Sequence, residues 1–109
     1  MNKLKEHLKE QGYSFYKKSI RDDLIDWYAV KRADTSRECT CNERAPQIIV
    51  TPSVYTFSAY SQHRSVSIDL TAEYNDIWWK LSAYSLSEED AIERLSEIEK
   101  KLVKAWEAL

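Results

Sequence analysis

The chain has 109 residues, enough for one domain spanning 1–109 with a core that needs neither disulfides nor metal. Its 16 basic and 18 acidic residues leave a net charge of -2, which calls for neither a nucleic-acid nor a membrane partner. One glycine and two prolines, beside four tryptophans and seven tyrosines, exclude disorder, repeats and glycine-rich phosphate loops.

Asn2 can cap a short helix from about Lys3 to Gln11, with Leu4 and Leu8 on one side and His7 among Lys and Glu elsewhere. Gly12 then falls where a helix ending needs a left-handed backbone. That makes Leu8 and Tyr13 the pair that touch in a Schellman motif. From Tyr13 the period changes to two, with Tyr13 and Phe15 on one face and Tyr16 on the other, as far as about Ile20. Arg21-Asp22-Asp23 reads as a turn, and Leu24 to Arg32 as the second strand of a hairpin, with Trp27 and Ala29 alternating against Tyr28 and Val30.

Residues 33 to 46 are polar and read as an exposed loop containing Cys39 and Cys41. Gln47 to Thr51 is a β-branched strand; Pro52 demands an edge position, a bulge or a break. Val54 to Tyr60 either continues that strand or starts another, with Tyr55 and Phe57 on one face, and Ser61 to Arg64 reads as a turn. Ser65 to Thr71 alternates most cleanly, with Val66, Ile68 and Leu70 inward. After a turn at Asn75-Asp76, Ile77 to Leu86 carries Trp79, Leu81 and Ala83 opposite Trp78, Lys80, Ser82 and Tyr84.

From Ser87 to Leu109, Ile92, Leu95, Ile98, Leu102, Trp106 and Leu109 recur at steps of three and four, flanked by Ala91 and Ala105. Ser87 is the N-cap, with Asp90 as its partner, and Glu88, Glu89 and Asp90 complement the positive end of the helix dipole. Burying such side chains yields about 1.5 to 3 kcal/mol each. Backbone ordering costs about 1 to 2 kcal/mol per residue, so the helix needs an apolar surface to lie on. The chain's own sheet would supply it; a helix-to-helix dimer through positions 95, 98, 102, 105 and 109 is the alternative. The order is that of an α+β fold: an antiparallel meander of four to five strands, with both helices packed on one face.

Cys39 and Cys41 have the spacing to share one zinc, yet a closed site needs four ligands and there is no second Cys pair. A vicinal redox pair or two ordinary reduced thiols are the other readings. His63 beside Arg64 and Ser65 lacks any motif for a nucleophile or zinc helix, and His7 lies on a charged helix. No enzyme, metal or cofactor is expected.

Two binding readings remain. Sheet aromatics with Lys17, Lys18, Arg21, Lys31, Arg32 and Arg64 nearby suit nucleic acid, and the element order resembles double-stranded RNA-binding domains. Their basic last-helix start is replaced here by Glu88, Glu89 and Asp90. Residues 1–64 hold 11 Lys or Arg against 8 Asp or Glu, and residues 65–109 hold 5 against 10. The favoured reading is a protein-binding or self-associating module that uses Trp27, Tyr55, Phe57, Trp78 and Tyr84 on the uncovered sheet face, as a homodimer or with a protein partner. The chain has no apolar run long enough for a membrane span and no apolar core of a signal peptide, so a cytoplasmic setting is expected.

The run Trp78-Trp79-Lys80-Leu81-Ser82-Ala83-Tyr84-Ser85-Leu86-Ser87, with Ile98-Glu99, Leu102 and Ala105 to Leu109 after it, resembles small uncharacterised proteins encoded by phages and prophages. The likeness covers the C-terminal third. It implies a host-cytoplasm setting and roles such as binding a host protein or inhibiting a host defence system.

Overall fold

The computed structural model describes residues 2–17, 27–35, 46–58, 61–74 and 77–108, and the side chains of 54–58, 61–63, 74, 84 and 85 lie outside the description. Helix α1 (Asn2–Glu10) starts one residue ahead of expectation and buries Leu4 and Leu8. Its ending has the expected form. Gly12 sits at φ 86°, Tyr13 N–H donates to the Leu8 carbonyl at 3.0 Å, and Gly12 N–H donates to that of Lys9 at 3.2 Å. Leu8 and Tyr13 are both buried, so the hydrophobic contact of the motif joins α1 to the sheet.

Strands β1 (Ser14–Lys17) and β2 (Trp27–Arg32) pair antiparallel from Ser14↔Val30 to Lys17↔Trp27, which makes them the expected hairpin. The turn expected at Arg21 to Asp23 lies outside the described residues. Strands β3 (Gln47–Ser58), β4 (Ser61–Tyr74) and β5 (Ile77–Leu86) complete a five-stranded sheet in the order β1-β2-β3-β4-β5. Helix α2 (Glu88–Glu107) follows. The fold is therefore α+β, with the strands in a simple meander.

One expectation needs correction, and one pair of alternatives resolves. Ser61 to Arg64 is not a turn but the start of β4, paired with Val54 to Ser58, because its polar residues belong to a long two-stranded extension. Gln47 to Thr51 and Val54 to Tyr60 are one strand as far as Ser58, running through Pro52. The described β2–β3 pairing runs from Arg32↔Gln47 to Ala29↔Val50. The polar segment also starts and ends inside the structure: Ala33 and Pro46 are buried, and Ala33 N–H donates to the Pro46 carbonyl at 2.8 Å.

Directly opposed residues of antiparallel strands share a face. The row Ala29, Val50, Ile68, Ala83 and the row Ile48, Leu70, Leu81 therefore lie on one side, the inner face. Leu4 and Leu8 of α1 join the same core as Ala91, Leu95, Ile98, Leu102 and Trp106 of α2. Both helices thus lie over the inner face. In α2, Ser87 caps as expected by accepting from Asp90 N–H at 3.1 Å. The stripe is rotated from the expected one: Ala91 is central, Ile92 half-buried and Ala105 exposed.

Candidate functional site

The outer face is built from the residues between those of the core. Tyr16 and Tyr28 oppose one another across β1 and β2, with rings stacked at 5.5 Å and 21°. Tyr16 is 51% exposed. At the far side of the sheet Trp78 opposes Glu73 and is 58% exposed, and its neighbour Ile77, turned to the inner face beyond α2, is 54% exposed. Between these aromatic flanks the described residues set Val30 and Ile49 beside smaller polar ones. Ile49, Asp69 and Ser82 form one row across β3, β4 and β5, with Ser67 and Thr71 on either side of Asp69.

That centre is not bare. Asp69 is only 6% exposed and Ser65 8%. Asp69 Oδ1 and Ser82 Oγ are both buried without a hydrogen-bond partner among the described residues, whereas Ser67 Oγ donates to the Thr51 carbonyl at 3.4 Å. A buried carboxylate oxygen with no donor forfeits its hydration without recompense.

The expected site residues divide. Trp78 lies on the outer face as anticipated. Trp27 does not: it packs against the core, meets Phe15 edge-on at 5.4 Å, and is overlaid by the Lys5 ammonium of α1 at 5.8 Å. The pairing Ala29↔Val50 puts the odd-numbered residues of β2 inward, so Trp27 goes to the helix side and Tyr28 takes the outward place. The backbones of Tyr55 and Phe57 belong to β3 and that of Tyr84 to β5, while their side chains lie outside the description. Tyr16 and Tyr28 were missed as site residues although their alternation was legible.

The basic residues are dispersed. Lys17 and Lys31 belong to the rows of Trp27 and Ile48, and Arg64 opposes Val54 in the series of Val66, so all three fall on the inner side, while Arg32 is on the outer. Lys18 and Arg21 lie outside the described residues, as do Cys39 and Cys41, and the His63 side chain is likewise not described.

A second polar feature lies at the rim of α2. Tyr13 Oη donates to Glu99 Oε1, Lys31 Nζ stands 3.7 Å from Glu99 Oε2, and the same ammonium lies 5.5 Å from the Tyr13 ring centre. Burial, and then the bond to the Glu99 carboxylate and its charge, push the Tyr13 hydroxyl well above the ordinary tyrosine range. Lys31, Glu99, Lys100 and Lys104 help line a cleft of about 370 Å³ between α2 and the sheet, and Glu107, which also lines it, accepts from Thr35 Oγ1 at 2.7 Å. A phenol held protonated by a carboxylate acts as a strut, tying the end of α1 and β2 to the middle of α2.

No family model matches the chain, and neither a curated protein nor a solved structure matches it.

Proposed function

We propose that this chain is a small non-catalytic binding protein that engages a partner protein through the outer face of its sheet. The observation that carries this reading is the sidedness of the fold. Both helices share one core with the inner face, and the Tyr16–Tyr28 stack and Trp78 stand on the other. Exposed aromatic rings are among the favoured anchors of protein interfaces. The resemblance of the C-terminal third to phage and prophage proteins supports a host protein as the partner and the host cytoplasm as the setting. Nucleic acid is the weaker reading, because Lys17, Lys31 and Arg64 fall on the side opposite the exposed Tyr16 and Trp78.

The test is a paired substitution, Tyr16→Ser with Trp78→Ser, followed by affinity capture from a bacterial host lysate and thermal unfolding. A protein held by the unsubstituted chain and released by the folded double variant supports the proposal. Identical capture by both chains overturns it.

A further inference from the structure

We infer that the partner seated on the outer face is acidic there: a protein segment whose carboxylates meet Arg32 and Lys80 while one of its apolar side chains lies against Trp78. The inference rests on the outer-face reading proposed above and names the chemistry that the partner brings to it.

Strand pairing lines up one row of side chains across the sheet. Arg32 of β2 opposes Gln47 of β3, Gln47 opposes Thr71 of β4, and Thr71 opposes Lys80 of β5. Arg32, Gln47 and Lys80 are exposed and Thr71 is half-buried, so the row is open to solvent along its length. Neighbouring strands lie about 4.8 Å apart, which puts the two cations about 14 Å from one another, one at each end of the row. Trp78, two residues before Lys80 on the same face of β5, stands next to this row and is itself exposed.

The charges on this face are unequally available. Among the described residues they are those of Arg32, Lys80, Asp69 and Glu73, of which Asp69 is enclosed and Glu73 half-buried. Neither Arg32 nor Lys80 has an ion-pair partner among the described residues, whereas Lys31, Arg94 and Lys101 on the helix side do. The exposed charge of the outer face is therefore positive, on a chain whose net charge is -2. Cations at both ends of an open row, with no internal counter-charge, complement carboxylates supplied from outside.

An extended protein segment fits the spacing. At about 3.4 Å per residue, side chains four positions apart share a face and lie about 14 Å from one another, the separation of Arg32 and Lys80. A nucleic-acid strand carries a phosphate at every nucleotide, so a backbone reaching Lys80 would also meet Glu73, its diagonal neighbour across β4 and β5. A protein segment can place acids at two positions and an apolar side chain at a third, over Trp78.

The experiment uses the full chain and a fluorescently labelled oligoglutamate peptide, with binding followed by anisotropy at low and at physiological salt. The expected result is binding that weakens as salt rises and that falls about tenfold or more in a folded Arg32→Glu, Lys80→Glu double variant. Lys17→Glu with Arg64→Glu, the same change of net charge on the inner side, should weaken it far less. No binding at low salt overturns the inference, and so does an equal loss in the two double variants. A mixed-sequence single-stranded oligonucleotide that binds Arg32 and Lys80 more tightly than the peptide also overturns it, by assigning the row to phosphate. If Arg32→Glu with Lys80→Glu does not fold, Arg32→Gln with Lys80→Gln decides by the same comparison. In the lysate capture, a host protein released by Tyr16→Ser with Trp78→Ser but held undiminished by Arg32→Glu with Lys80→Glu overturns this inference and leaves the outer-face reading standing. Equal capture by every chain overturns that reading, and the inference with it.

Discussion

The two faces of β4 are made from alternate residues of one strand, yet they solve different problems. On the inner face Val66, Ile68, Leu70 and Ala72 are sealed beneath α2 and contribute by leaving water. On the outer face Ser65 and Asp69 are almost as inaccessible, but burial there encloses Asp69 Oδ1, which has no hydrogen-bond partner among the described residues. Burial on the first face is a source of stability and on the second a cost, so accessibility alone does not distinguish core from surface in this protein. The large rings reverse the pattern: Trp106 is completely enclosed and Trp78 stands mostly in water.

The tryptophans offer the largest contrast. Trp106→Ala should cost about 3 to 5 kcal/mol of unfolding free energy, since it removes an enclosed ring at the end of the α2 stripe. Trp78→Ala should stay within about 0.5 to 1 kcal/mol. Denaturant titration of the two variants measures both values; comparable losses would mean that the outer ring is part of the core.

The next contrast is between Ile68 and its neighbour Asp69. Asp69→Val removes a buried oxygen that has no donor among the described residues and adds β-branched apolar surface, so it should raise stability by about 1 to 2 kcal/mol. A loss of stability on this substitution would show that the carboxylate is paired in solution.

These contrasts also show what was legible in the sequence. Local signals held wherever the physics was local: Gly12 after a Leu8 and before a Tyr13, Ser87 before three acids, and the alternation of Ser65 to Thr71 all specify geometry within a few residues. Trp27 and Tyr28 were seen to face opposite ways, but which of them points inward is set by the Ala29↔Val50 pairing, twenty-one residues away in the chain. Ser61 to Arg64 misled for a related reason. Polar residues read as a turn when the partner strand that makes them part of a long hairpin is not evident. The exposure of Tyr16 and the enclosure of Asp69 follow from no local pattern, because each depends on what the rest of the fold does or does not lay over it.

Gly12 gives a smaller effect, confined to the inner side. Its φ of 86° is unfavourable for an L side chain, while an added Cβ would have open space around it, so the cost of Gly12→Ala is backbone strain alone. About 1 to 2 kcal/mol is expected. Gly12→Asn should recover part of it, because asparagine tolerates the left-handed region better. Equal losses for the two variants in thermal unfolding would point to a steric cause instead.

The smallest effect at neutral pH, and the one with the clearest pH signature, concerns Tyr13. Its hydroxyl is held protonated in the folded chain by burial and by the Glu99 carboxylate, above the ordinary value of 10.0 that it regains on unfolding. The stabilising contribution is therefore complete below about pH 10 and declines as the pH rises beyond it, because the unfolded chain releases the proton and the folded chain does not. Tyr13→Phe keeps the ring between Leu8 and the Lys31 ammonium but removes the proton and the bond to Glu99. At pH 7 the variant should lose about 0.5 to 1.5 kcal/mol, the usual net value of one hydrogen bond. Between pH 10 and pH 11.5 the gap should narrow, since only the unsubstituted chain carries this linkage. The two chains differ in this one group, so the difference between their thermal midpoints isolates the phenol. A gap that stays constant through alkaline pH would mean that Tyr13 ionises as readily in the folded chain as in the unfolded one, and that the strut to α2 is not formed.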